Sequence, residues 1–249
     1  MPIVLKSRDE IAKMREAGRV VGQVLRMLAE EVRPGLAVDK LDETVRREFA
    51  RRGVLPTFLG YRGYPARVCV SVNEEIVHGI PGRRVLQDGD LVSIDLGATA
   101  NGFVGDAAVT VACGRASPEA QRLIDVAREA LQAGMRQARA GNHVGDIGYA
   151  VQTTAEAAGF GVVREYVGHG VGRQMHEDPA IPNYGTPGKG PLLREGMVIA
   201  IEPMLTMGDW RTRVLSDGWT VVTADSSLSA HFEHTLAILD GEPEVLTLP

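Results

Sequence analysis

The chain has 249 residues, 44% hydrophobic and 24% charged, with a net charge of −5. That apolar share supports a real core and excludes intrinsic disorder and collagen-like repeats. The acidic balance excludes a global field for nucleic acid or an anionic membrane, and two cysteines, Cys69 and Cys113, exclude a disulfide framework.

The first residues, Met1-Pro2-Ile3-Val4-Leu5-Lys6-Ser7, lack the charged start and long apolar stretch of a signal peptide. The longest apolar runs, such as 197–201, are strand-sized. A cytoplasmic protein with no membrane contact is expected. Ile11, Met14, Ala17, Val21, Val24, Leu25 and Leu28 recur at helical spacing and predict a helix over 7–31. Ser7 with Glu10 forms a capping-box pattern, and Pro34-Gly35 ends the run. A second helix is predicted over 39–52, stopping at Gly53, with strands at 67–72, 91–96 and 107–112. After Ser117-Pro118 the order returns: helices over 118–139 and 144–158, then strands at 162–167, 197–201, 220–223 and 231–239.

The halves, about 7–115 and 116–249, match in residues as well as in order. An offset of 106 carries Gly35, Val38, Leu41, Val45 and Gly53 onto Gly141, Val144, Ile147, Val151 and Gly159. An offset of 107 carries the run Asp88–Asp95 onto Glu195–Glu202, so that a carboxylate ends both apolar strands. Chance alignment of two helix-turn-strand stretches is one reading. The other is a duplicated ααββ unit with pseudo-two-fold symmetry in a single α/β domain, with Asp95 facing Glu202 across the axis.

Asp95 follows Leu91-Val92-Ser93-Ile94, a run suited to a buried strand. Asn101-Gly102 then signals a hairpin, and Asp106 opens the returning strand. The two aspartates are therefore opposite or diagonal neighbours. A two-residue turn does not pair them directly, so a longer loop or a bulge is expected. Glu202 and Glu233 join them if the repeat is real. Taken singly, each acid fits a solvated strand end. Together, four buried carboxylates require positive charge, and no Lys or Arg lies in these strands. One divalent ion leaves a charge of about −2 and two leave about zero, which favours two metals.

His169, in Gly168-His169-Gly170-Val171-Gly172, and His78, in Val77-His78-Gly79-Ile80-Pro81, sit between residues that let the backbone approach a ligand. His176 lies seven residues beyond His169. His143, His231 and His234 have no such frame and read as surface or packing residues. Carboxylates with an imidazole suit Mn, Fe(II), Co or similar ions, and paired metals suit hydrolysis.

With these residues the sequence resembles the type I methionine aminopeptidases, in the short bacterial form. Gly60-Tyr61-Arg62-Gly63-Tyr64-Pro65, Ser71-Val72-Asn73-Glu74, Ile201-Glu202-Pro203 and Phe232-Glu233-His234-Thr235 carry the resemblance, together with the motifs above, over essentially the whole chain. It implies the pita-bread (creatinase/aminopeptidase) fold. Asp95, Asp106, His169, Glu202 and Glu233 would be the metal ligands, with Asp106 and Glu233 bridging. Glu202 would double as proton acceptor, His78 would lie near the scissile nitrogen, and His176 would stabilise the oxyanion. Phe58, Tyr61, Tyr64, Cys69, Met175 and Trp219 would line a methionine pocket, although relatives commonly carry Cys and Phe at the places of Phe58 and Met175. The implied substrate is the N-terminal methionine of nascent peptides whose second residue is small.

Trp210-Arg211-Thr212-Arg213 is a candidate contact for ribosomal RNA on an otherwise acidic chain with no specific nucleic-acid site, and a solvated loop is the rival reading. A monomer is expected. An X-Pro-type peptidase, a metal-free amidinohydrolase and a non-catalytic binding protein share this fold. The first usually carries an extra N-terminal domain, whereas this chain starts at its first helix. The other two lack some or all of the five ligands present here.

Overall fold

The computed structural model describes residues 2–249. Helix α1 spans Arg8–Glu31 and α2 spans Asp39–Arg52. Ser7 and Glu10 complete the capping box of α1, and Gly53 closes α2 in the left-handed region at φ 67°. Strands β1 (Leu55–Pro56), β2 (Cys69–Val72) and β3 (Glu75–Val77) follow, then the long hairpin β4 (Leu91–Ala100) and β5 (Phe103–Ala112). The second half opens with α3 (Pro118–Gln137) and α4 (Val144–Ala157). Next come β6 (Gly161–Val162), β7 (Gly168–Gly170), β8 (Glu177–Ile181), β9 (Val198–Ile201) and β10 (Met204–Thr206). The chain ends with β11 (Thr212–Val214), β12 (Val221–Thr223), β13 (Ser229–His231), β14 (Glu233–Ala237) and β15 (Glu244–Val245).

The main sheet runs β1-β4-β5-β14-β9-β7-β8, with β2 also on β4 and β15 on β14. Its centre is palindromic: β2-β4-β5 from the first half meets β14-β9-β7 from the second. The ladder between β5 and β14 is therefore the seam between two copies of one unit, the duplicated pita-bread architecture that the sequence implied. Two smaller sheets, β13-β10-β6 and β11-β12-β3, flank it.

The sequence predicts one strand over 231–239, and the structure divides it. His234 pairs with Ile201 and His231 pairs with Met204, in one unbroken register. Between them Pro203 has no N–H to give, so the ladder bends there and becomes β9/β14 on one side and β10/β13 on the other. The predicted strand at 162–167 divides for the same reason. Its start pairs with β10, and the chain then crosses the bend before β7 joins β9.

Alternation sets the two faces of the main sheet. Val92, Ile94, Leu96 and Ala98 of β4 join Ala107 of β5 in a core beneath Val21, Val24 and Leu28 of α1 and Leu41, Val45 and Phe49 of α2. Ile199, Ile201 and Leu236 pack beneath α3 and α4. Helix α1 lies close to the sheet because Gly18 meets Gly105. A Cβ on Gly105 would stand 2.6 Å from the Gly18 nitrogen. The variant Gly105→Ala is expected to lose about 1–3 kcal/mol of stability through this overlap. Denaturant titration checks it, and an unchanged midpoint would refute the close contact.

Candidate metal centre and adjoining cavity

The acidic residues occupy the face turned away from the helices. Ala100 pairs with Phe103 across Asn101-Gly102, both of which have positive φ (52° and 75°). This is a tight two-residue hairpin, so the expected longer loop or bulge is absent. Asp95 stands opposite Ala108, and Asp106 opposite Gly97. The aspartates are diagonal neighbours, two residues out of step on one face. Ala108 also pairs with Glu233 on its other side. Glu202 directly follows Ile201, which pairs with His234, so it arrives beside Glu233. His169 pairs with Ala200, two residues before Glu202 and hence on the same face.

Ligand atoms of Asp106, His169 and Glu233 lie within 4.8 Å of one another, and all three residues are buried. His169 Nε2 is 3.6 Å from Glu202 Oε1 and 3.9 Å from Asp106 Oδ2. Its Nδ1–H donates to the Gly170 carbonyl at 3.0 Å, which leaves the Nε2 lone pair facing the acids. Burial raises Asp95 to about 7, with Glu202 adding to the rise and His231 opposing it. Burial alone lifts Glu202 to about 8. Burial, then the neighbouring acids, push Asp106 and Glu233 well above the carboxylate range. Burial depresses His169 to about 3, with His176 contributing.

Among the described residues no Lys or Arg pairs with these four acids. Asp95 Oδ1, Asp106 Oδ1 and Glu233 Oε1 are buried without a hydrogen-bond partner. Orphaned carboxylate oxygens converging with an imidazole lone pair fit divalent cations of the harder kind.

Beside this group lies a cavity of about 260 Å³ lined by Phe58, Tyr61, Arg62, Tyr64, Cys69, His78, Asp95, Tyr166, Met175, His176 and Trp219. It falls below the ~300–1,000 Å³ of most small-molecule sites, a size for one side chain rather than a large ligand. Asp95 belongs to both cavity and acidic group, so anything filling the cavity abuts the carboxylates. Tyr64 is buried, donates to the Gly79 carbonyl at 2.8 Å and stands edge-on to Trp219 at 5.1 Å. His78 has φ 61°, a left-handed backbone that turns its ring between Tyr166 and Trp219. Burial lowers it to about 4, with His231 and His176 adding to the fall. His176 sits at the open side. Its Nδ1 is 2.8 Å from the Tyr61 hydroxyl and its ring is 4.3 Å from that of His169.

Sequence reasoning passed over four residues here. Arg62 and Tyr166 line the cavity. Asn183 is buried and donates to the Glu202 carbonyl at 3.0 Å. His231, read as surface or packing, is fully buried with its Nε2 3.6 Å from Glu202 Oε2. The available signal was strand parity, which puts His231, two residues before Glu233, on the same face. His143 precedes α4, and His234 bonds Thr247 on the other face. The repeat also gives His169 a counterpart. Ser71 pairs with Ser93, the equivalent of Ala200, so the first half offers a hydroxyl where the second offers an imidazole.

Residues 12–240 match the model of metallopeptidase family M24. The chain is 50% identical to a methionine aminopeptidase of Clostridium perfringens over 99% of both chains. The crystal structure of methionine aminopeptidase from Thermotoga maritima superposes with a TM-score of 0.98 at 47% identity, covering all of both chains. A prolidase from Pyrococcus furiosus shares the fold at TM-score 0.79 and 22% identity, with 99% of this chain covering 66% of that one.

Stability should report the buried acids. In the unfolded chain they ionise near pH ~4, and histidines near ~6.5. The metal-free fold holds protons on Asp95 to about 7 and on Glu202 to about 8. In that window the folded state binds more protons than the unfolded chain, so stability falls as pH rises. The depressed histidines act oppositely, but only below ~6.5. Chelator-treated protein should therefore lose melting temperature from about pH 6.5 to about pH 8. Added Mn²⁺ should reverse the loss and release protons. A flat melting profile across that window would count against the buried acidic group.

Proposed function

Because this chain belongs to metallopeptidase family M24, we propose that it acts as a methionine aminopeptidase of the type I bacterial form, hydrolysing the bond after an N-terminal methionine. The observation that carries the reading is the contiguity of two features: an apolar, sulfur- and aromatic-walled cavity sized for one side chain, and a group of orphaned carboxylates that shares Asp95 with it. One domain, residues 1–249, performs the reaction.

Asp106 and Glu233 would be shared between two divalent ions, Asp95 would hold one, and His169 with Glu202 the other. Bound there, ions of the Mn, Fe(II) or Co kind supply Lewis-acid polarisation of a carbonyl and lower the pKa of a water. Phe58, Tyr64, Cys69, Met175 and Trp219 enclose the methionine side chain, whose flexible thioether suits that wall. Tyr61 closes the open side through its bond to His176. Glu202, as a carboxylate once cations are bound, accepts a proton from the attacking water and delivers it to the leaving amine. With the Tyr61 hydroxyl donating to Nδ1, His176 keeps its Nε2 proton for the developing oxyanion. His78, kept neutral by burial, serves the scissile nitrogen. A cavity with room for one side chain leaves the second residue at its crowded mouth, which favours a small one.

No helix is long and apolar enough to cross a membrane among the described residues. We place the enzyme in the cytoplasm as a monomer, acting on nascent chains. A ribosomal RNA contact would use Trp210, which lies within 5.0 Å of both Arg164 and Arg211. Failure to co-sediment with ribosomes at low salt would refute that contact.

The deciding assay compares Met-Ala and Gly-Pro peptides, with and without chelator. Cleavage of Met-Ala alone, abolished by chelation, is expected; cleavage of Gly-Pro alone would overturn the reading. Glu202→Gln should cut turnover by orders of magnitude while the fold survives, and full activity would reject its role. Asp106→Asn should weaken metal binding, so wild-type metal content by elemental analysis would argue against a shared ligand.

A further inference from the structure

Lys6 is buried although Pro2, Ile3, Val4 and Leu5 before it are exposed. Its Nζ donates to Glu177 Oε2 at 2.7 Å and to the Val4 carbonyl at 3.0 Å. Its backbone N–H donates to the Gly196 carbonyl at 2.7 Å, which ties the N-terminal strap to the start of β9. The side chains of the pair are only 3% and 11% exposed, unlike the surface pairs elsewhere on the molecule.

Glu177 also shapes the turn before it. Its Oε1 accepts the Gln174 N–H at 3.2 Å, and the Gly172 N–H donates to the Gln174 carbonyl at 3.1 Å. A Cβ on Gly172 would stand 2.7 Å from Glu177 Oε2, so a side chain there would displace the carboxylate from its partners. The turn 172–177 is thus folded around one carboxylate, and Lys6 holds that carboxylate from outside. The residue immediately before Glu177 is His176. Its ring is held on the cavity side by Tyr61 and lies tilted against that of His169. Tyr61 opens a short 3-10 turn and meets His176 through one hydrogen bond, so the imidazole is held only if the backbone behind His176 is also fixed.

We propose that Lys6 is a positioning residue: through the buried ion pair with Glu177 it clamps the turn that carries His176 and so sets the imidazole over the cavity. The inference rests on the role given to His176 above. A buried pair of this kind is rigid, because separating it would leave a charge without its partner. The strap contributes no atom to the cavity, yet it governs a group that does.

Lys6→Met keeps the length of the side chain and removes its charge. Alone it leaves Glu177 buried and unpaired, so the double variant Lys6→Met with Glu177→Gln is measured beside it, since removing both charges spares the fold. The double variant is expected to fold and to bind metal as the wild type does. Its kcat should fall roughly 10–100-fold, as for a misplaced catalytic group, with KM on a Met-Ala peptide within about twofold. In long-range ¹H–¹⁵N spectra of the metal-free proteins, the His176 ring nitrogens should shift as the bond to Tyr61 loosens. A double variant with wild-type kcat per folded molecule and unmoved His176 resonances overturns the clamp. If the wild type itself fails on methionyl peptides, the functional reading falls, and the resonances alone decide: moved, the clamp stands; unmoved, it does not.

Discussion

Desolvation of Asp95, Asp106, Glu202 and Glu233 is the constraint that the rest of the structure answers to. Two hairpin-like ladders converge at a seam, and the parity of their registers turns all four carboxylates to one side. Among the described residues no Lys or Arg accompanies them. Left alone, such a group must keep protons that carboxylic acids ordinarily release at neutral pH, and burial raises every one of them. The fold therefore stores an unfavourable arrangement that cations relieve, and the orphaned oxygens mark where the relief is delivered. Helices cover the opposite face and supply the apolar burial that holds the arrangement together.

The cavity takes its position from the same geometry. Cys69 pairs with Asp95 across β2 and β4, so the wall of the apolar chamber and the rim of the acidic group are adjacent residues in one ladder. Burial, with Asp95 adding to it, holds Cys69 as an uncharged thiol, which keeps that wall apolar beside four acids. The apolar cavity and the acidic group thus share a border one residue wide. Histidines complete it from three directions: His169 from β7, His176 from the turn beyond it, and His78 from the strained position after β3.

Much of this was legible in the residues. Ser7 and Glu10, Gly53, and the apolar stripe of α1 named their elements with local signals. The proximity of Asp95 and Asp106 followed from Asn101-Gly102, although the expectation of a bulge arose from taking the aspartates to face each other directly, whereas they stand diagonally. What sequence could not supply was long-range register. The bend at Pro203 is written in one residue, but its effect on 231–239 exists only because that strand lies beside it. His231 has no flanking glycines, so local pattern marked it as packing, and only pairing revealed its neighbour. Lys6 and Glu177 are 171 positions apart, each ordinary among surface charges until the fold buries them together. Arg62 and Tyr166 stood inside or beside recognised motifs without a chemical reason to single them out.

The substitution of Ser71 for an imidazole across the pseudo-axis means that neither copy of the repeat is self-sufficient. Asp95 and Asp106 come from one copy, and His169, Glu202 and Glu233 from the other. The group they form straddles the joint, which is also spanned by the β5–β14 ladder, by the pairing of β3 with β12, and by a core that Ile11 and Met14 share with Val198 and Leu246. The two halves are thus knit together by shared strands and a shared core, and the acidic group sits across their joint.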